Sequence, residues 1–195
     1  MDELEEKINA VCTQENLNNS LIYQNREEFL TLCRYVHSFK PHNFLEIGCL
    51  GPSFNVLASL CTGKKVALDM NENGRSRITD PKVHFILGFS NQSYSKVSQI
   101  CSNFDFIFID GDHTYKGVSD DFYQYKTLLT PRGFIAFHDM DPDHRFKDMD
   151  GGGVYRFWQE LDIGHKTNIV CTRTDHDVTF KGGKTHFGGI GIWRP

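Results

Sequence analysis

FDFIFIDGDH, residues 104–113, decides how this chain folds and where its chemistry lies. In Phe104 to Ile109 only Asp105 is polar. A run that short and apolar reads as a strand covered on both faces, as in a parallel sheet. It stops abruptly at Asp110-Gly111-Asp112-His113, a set of groups able to bind a metal or move a proton. A second stretch repeats the pattern: GFIAF, residues 133–137, runs into His138-Asp139, with His138 28 residues after Asp110. A hydrophobic core has no use for either ending. Two such strand ends side by side would make a site.

Outward from this pair, strands and helices alternate from Asn43 onward. Phe44 to Ile47 is a short strand running into a Gly48 to Gly51 turn, and 53–61 continues as an apolar helix. Lys65 to Asp69 and 83–87 are the second and third strands, and 92–102 is a helix. After the 104–109 strand come a helix over 117–129, a turn at Pro131-Arg132-Gly133 and a fifth strand, 134–137. Gly151 to Gly153 precede a helix through Phe157, Trp158 and Leu161, with Trp158 in the core. Two more strands, 167–172 and 187–193, are joined by a polar, glycine-containing loop. Before Asn43 two helices are expected, from the spacing of Leu4, Ile8 and Val11 and of Phe29, Leu32, Tyr35 and Val36. Ser20 is placed to cap the second helix, and Pro41 ends it.

This alternation argues for an α/β fold, a mostly parallel seven-stranded sheet with helices on both faces and a C-terminal antiparallel hairpin. Ligands in such sheets bind beyond the carboxyl ends of the strands, where the strand order reverses. Glu46-Ile47-Gly48, Asp69, Gly88, Asp110 to His113 and His138-Asp139 all fall at strand ends of this kind. They would lie along one edge.

Bulk properties narrow the classes. The 195 residues suit one α/β domain with a full core. A net charge of −4 and a pI near 6.1 give no reason to expect nucleic acid or an anionic membrane. No apolar run approaches the ~18 residues of a membrane span. MDELEEKINA is acidic and amphipathic, the opposite of a signal peptide, so a cytoplasmic protein is expected. Cys12, Cys33, Cys49, Cys61, Cys101 and Cys171 are scattered without a C-x-x-C pair, as reduced thiols are.

Glu46-Ile47-Gly48-Cys49-Leu50-Gly51 is a strand, a glycine turn and a helix entry. Gly48 would allow the tight turn, and Gly51 a close backbone approach to a ligand. Asp69 ends the next strand 23 residues after Glu46, where a carboxylate can accept from both hydroxyls of an adenosine ribose. The G-x-G-x-x-G fingerprint of dinucleotide sites is missing. The wider E-x-G-x-x-G turn suits a cofactor without a pyrophosphate.

On these residues the chain resembles the class I S-adenosylmethionine-dependent methyltransferases over roughly residues 43 to 193. FLEIGCLGPSFNVLAS is similar to their first motif and VALDM to their second-strand acid. FDFIFIDGDHTYKGVSDDFYQYKTLLTPRGFIAFHD is similar to their fourth-to-fifth-strand block. The likeness is strongest to the small metal-dependent O-methyltransferases of the catechol, macrolide-sugar and cephalosporin-biosynthesis group. It implies a Rossmann-like three-layer sandwich over residues 43–195, with the helices of 1–42 packing on that domain or covering the substrate site. It also implies Glu46 and Gly48 near the methionine end of the cofactor, Asp69 on its ribose, and Gly88, Phe89 and Ser90 near its adenine. Phe89 stands where many of the group carry an acid.

Asp110 and Asp139, at the ends of neighbouring strands, offer two carboxylates to one divalent cation, Mg²⁺ or Mn²⁺. The resemblance completes a metal trio of Asp110, His138 and Asp139. An imidazole at His138 suits Mn²⁺, Fe²⁺ or Zn²⁺ better than Mg²⁺. It also puts His113 in the place of the general base, which an acceptor hydroxyl needs before it can attack. The expected reaction is O-methylation of a small hydroxylated acceptor, such as a sugar, and a homo-oligomer is compatible with it. Two other readings stay open: a metal-dependent hydrolase or hydroxylase-like enzyme, and a non-catalytic relative that only binds the cofactor. The acidic stretch from Asp141 to Asp150 reads as an ordinary solvated loop or a lid with glycine hinges. His176, Asp177 and His186 are given no role.

Overall fold

The computed structural model describes residues 3–13, 24–49, 51–140, 153–169, 177–180, 183–186 and 188–195. Among the described residues two N-terminal helices, α1 (Glu3–Val11) and α2 (Arg26–Phe39), precede the sheet. Then follow β1 (Phe44–Ile47), α3 (Pro52–Ser59), β2 (Lys65–Asp69), β3 (His84–Leu87), α4 (Ser90–Ile100) and β4 (Phe104–Ile109). The chain continues through α5 (Tyr115–Tyr125), β5 (Leu129–Phe137), α6 (Gly153–Glu160), β6 (His165–Ile169), β7 (Asp177–Phe180), β8 (Gly183–His186) and β9 (Ile190–Arg194).

Seven strands form one sheet in the order β3-β2-β1-β4-β5-β9-β6. β3 through β5 are mutually parallel, and β9 runs antiparallel to both β5 and β6. This is the mostly parallel Rossmann-like architecture, with the last strand inserted between β5 and β6. The order reverses between β1 and β4, whose pairing matches Ile47 with Ile109. A crevice must open there, because the connections leaving the two strands depart to opposite sides.

Alternation along each strand builds two cores. Leu45, Ile47, Leu68, Ile107, Ile109 and Phe137 pack toward α4, α5 and α6. Phe44, Ala67, Phe106, Phe108, Phe134 and Ala136 pack toward α1, α2 and α3, where Ile8, Phe29 and Val36 are buried. Phe106 stacks on both Phe44 and Phe134, with ring centroids 4.7 and 4.6 Å away. Asp105, the one polar residue of its strand, accepts from the backbone N–H groups of His42 and Asn43 at 3.0 Å each, and so ties down the start of β1.

Some boundaries differ from those read in the sequence. The cap of α2 is Asn25, whose side chain accepts from the amides of Glu27 and Glu28. Ser20, the expected cap, lies outside the described residues, as do the 141–150 stretch, Gly151, Gly152, Cys171 and His176. The Pro131-Arg132-Gly133 turn lies inside β5, whose register shifts between the pairs Phe104–Leu129 and Phe106–Phe134. Proline cannot donate to the ladder, so the extra residues bulge out of the strand without ending it. The loop expected between the last two strands contains a separate two-stranded ribbon, β7 paired with β8. Each strand is only four residues long, and the alternation in Asp177-Val178-Thr179-Phe180 is too brief to mark a strand within a polar, glycine-containing stretch.

Candidate active site

Backbone ladder bonds run up to the residues that matter. The Gly48 amide donates to Leu68, the Asp110 amide to Ile47 and the His138 amide to Ile109, at 2.8 to 3.1 Å. The ends of β1, β4 and β5 are therefore held side by side before any side chain is considered. Gly48 has φ +90°, and a Cβ there would lie 2.0 Å from the Asp110 carbonyl oxygen. Only glycine lets the β1 turn approach β4 this closely. Gly51 is placed differently from expectation. With φ +121°, it leaves room for the Arg77 side chain, which a Cβ would meet at 2.5 Å, and it does not line the cavity described next.

A cavity of about 670 Å³ opens beyond the carboxyl ends of β1 to β4. Gly48, Asp69, Gly88, Phe89, Ser90, Asp110 and His113 all line it, with Met70, Asp112 and Asp121 among their neighbours. Met70 and Phe89 are 67% and 54% exposed and give the rim an apolar surface. That volume suits a nucleoside-sized ligand.

At one end of the cavity four charged groups converge. His113 Nε2 lies 2.5 Å from Asp139 Oδ2 and 3.9 Å from Asp110 Oδ1. His138 Nδ1 lies 3.2 Å from Asp110 Oδ1 and 2.9 Å from Asp139 Oδ1. Among the described residues, Asp110, His113 and Asp139 form a group whose donor atoms all fall within 4.8 Å of one another, close enough to share one cation. The expected trio had His138 in place of His113. The structure brings all four residues together, with His138 lying behind the carboxylates, its Nε2 buried and without a hydrogen-bond partner. Asp139 has φ +62°. This left-handed conformation, tolerated by aspartate better than by most side chains, turns its carboxylate from the end of β5 toward His113.

Burial disfavours the His113 imidazolium, but the hydrogen bond and charge of Asp139, helped by Asp110, outweigh it and raise its pKa. His138 is raised further against a larger burial penalty, by the charges of Asp139 and Asp110 and its bonds to them. Glu46 is 1% exposed, and its Oε2 has no hydrogen-bond partner. Burial first, then the charges of Asp110 and Asp69, hold its carboxyl well above the usual range. Asp69 is pushed up by burial, against an opposing hydrogen bond from the Asn71 amide. The site thus concentrates acidic oxygen atoms in a place from which water is largely excluded. Such an arrangement favours a positively charged ligand.

Two residues of the site were not singled out from the sequence. Gln24, between α1 and α2, donates from Nε2 to Asp110 Oδ2 at 2.7 Å across 86 residues of chain. Nothing local to Gln24 signals that contact. Asp121 is 1% exposed on α5, and its Oδ2 has no hydrogen-bond partner. Its signal was present: Val118, Asp121, Phe122 and Tyr125 are all buried at helical spacing, which puts a carboxylate on the apolar stripe.

Residues 45–140 match the family model described as a methyltransferase domain. A curated relative, the uncharacterised protein y4gI of Sinorhizobium fredii, is 24% identical over 151 residues, 65% of this chain. The match spans only 16% of that protein's length. Among solved structures, the O-methyltransferase from Bacillus cereus in complex with SAH superposes with a TM-score of 0.66 at 22% identity, covering 100% of this chain and 92% of the other. MycE methyltransferase of the mycinamycin biosynthetic pathway, in complex with Mg, SAH and mycinamycin VI, gives 0.59 at 15% identity, covering 84% and 48%. Among the described residues no helix is long and apolar enough to cross a membrane.

Proposed function

We propose that this chain, a methyltransferase domain across its central strands, moves the methyl group of S-adenosylmethionine to an oxygen of a small hydroxylated acceptor, with a divalent cation. One observation carries the reading: the Asp110–His113–Asp139 cluster opens on the same cavity that Gly48, Asp69 and Gly88 line. A proton-handling group and a nucleoside-sized cleft are thereby adjacent.

The chain's residues suit both groups. Asp69 stands in the cavity wall with a carboxylate for a ribose. Glu46, one residue before the cavity-lining Ile47, has a buried oxygen without a hydrogen-bond partner, and a nearby positive charge would favour its ionised form. Asp69 would accept from the ribose hydroxyls, while the exposed faces of Met70 and Phe89 flank the space for a base beside Gly88 and Ser90. Asp110 and Asp139 would hold the cation, with His138 Nδ1 beside both carboxylates. Such an ion supplies charge that lowers the pKa of a bound hydroxyl. The sulfonium supplies an electrophilic methyl carbon.

His113 is the proposed base. Its Nε2 faces Asp139, so the carboxylate orients the ring and stabilises the imidazolium formed when the acceptor's proton arrives. Where the charge of Asp110 and Asp139 is offset, the same ring returns toward the neutral form that can accept a proton at pH 7. Asp110, held by the ladder at the β4 terminus, lines the same cleft as the base. A cytoplasmic setting fits the thiols of Cys12, Cys33, Cys49, Cys61 and Cys101, all free.

Calorimetry of the purified chain with S-adenosylmethionine, with and without Mn²⁺, tests the cofactor reading. Micromolar binding is the expected result, and no binding sinks it. Label transfer from S-adenosylmethionine to a panel of hydroxylated small molecules, with and without chelator, tests the reaction and its need for a cation.

A further inference from the structure

We propose that Gln24, two residues before α2, is a ligand-switching residue of the cation site. The inference rests on the cation reading above. The Gln24 amide nitrogen donates to Asp110 Oδ2 at 2.7 Å, while its carbonyl oxygen is buried and has no hydrogen-bond partner. The facing carboxylate decides which end is which, since an amide oxygen turned toward Asp110 would meet like partial charge. A buried carbonyl left unsatisfied is costly, and here it lies one amide group away from the Asp110, His113 and Asp139 cluster.

The last torsion of a glutamine side chain is soft and roughly two-fold. A half turn about it exchanges nitrogen for oxygen at nearly the same place. The turn is unfavourable while the group faces a bare carboxylate and becomes favourable when it faces positive charge. Amide oxygens are ordinary ligands for hard divalent cations. Gln24 thus has a donor suited to the lone carboxylate and an acceptor suited to a cation on that carboxylate, and little backbone movement is needed to pass between them.

The position of Gln24 does not depend on this contact alone. Asn25 caps α2, Arg26 bonds to Asn9 and Glu5 of α1, and the fully buried Glu28 accepts from the Gly189 amide at 2.8 Å. These bonds fix the start of α2 against both α1 and the strap leading into β9. Replacing Gln24 should therefore leave the N-terminal helices in place.

The test is Mn²⁺ binding to the full chain, followed by the electron paramagnetic resonance signal of free Mn²⁺, for wild type, Gln24→Leu and Gln24→Glu. Leucine keeps the bulk and removes both polar ends; glutamate supplies only oxygens. Gln24→Leu is expected to weaken Mn²⁺ binding about tenfold and Gln24→Glu to retain or strengthen it, with unchanged circular dichroism. Equal affinity for wild type and Gln24→Leu overturns the proposal. So does weakening by both variants, which would make Gln24 only a donor that positions Asp110. A wild type that binds no Mn²⁺ removes the cation reading itself, while binding of S-adenosylhomocysteine in the same sample would leave the methyltransferase reading intact.

Discussion

Asp121→Asn should change how the stability of this protein depends on pH, in a direction the structure fixes. The Asp121 carboxyl is buried on α5; its burial, opposed by a hydrogen bond from Ser90 and reinforced by the charges of Asp112 and Asp120, pushes its pKa from 3.8 up to about 7. The folded state therefore holds a proton that the unfolded state releases near pH 4. Stability from this group is fully present below about pH 4, declines as pH rises, and is gone above about pH 7. Each pH unit between the two values is worth about 1.4 kcal/mol, so close to 3 kcal/mol is lost between pH 5 and pH 8. Asparagine keeps the shape and has no proton to lose. Urea unfolding of wild type and Asp121→Asn at several pH values isolates the effect, because other titrating groups cancel in the difference. The variant should gain on wild type by about 1 M or more in midpoint from pH 5 to pH 8, for a slope of ~2 kcal/mol/M. A difference that stays constant with pH would refute the reasoning, since it would mean that Asp121 is ionised in the folded state throughout.

His113→Ala should leave S-adenosylhomocysteine affinity, measured by calorimetry, within a fewfold of wild type and reduce methyl transfer by about 10² or more; undiminished turnover removes His113 from the mechanism. Gly48→Ala puts a methyl group 2.0 Å from the Asp110 carbonyl at φ +90°. It should lower the thermal midpoint by many degrees or prevent folding, at a cost of about 3 kcal/mol or more, whereas a wild-type midpoint would show that β1 and β4 can part cheaply. Asn25→Ala removes the α2 cap and should cost about 1 kcal/mol in urea unfolding.

The contrast between Asp121 and Gln24 shows what could be read in advance. Asp121 lies on a stripe with Val118, Phe122 and Tyr125, so its burial was encoded locally, although the missing partner of its second oxygen was not. The Gln24 contact depends on where the N-terminal helices dock, and no local pattern carries that information. The Pro131 turn failed as a boundary because the β4–β5 ladder resumes after the bulge. Gly51 was read toward a ligand, but its neighbour is Arg77, an approach created by the connection after β2.

By itself the sequence determined that apolar runs end in Glu46, Asp69, Asp110 and the His138-Asp139 pair, because period and composition fix a strand and its terminus. Five parallel strands then leave those ends on one edge. Only the tertiary structure decided how the four charged groups share that edge. Whether His113 or His138 faces the carboxylates from the cavity side depends on the left-handed turn at Asp139, the close approach of Gly48 to Asp110 and the arrival of Gln24 from the other end of the chain. Those are contacts of a few ångströms between distant segments. Strand periodicity sets which face a side chain takes, and packing alone sets what it meets there.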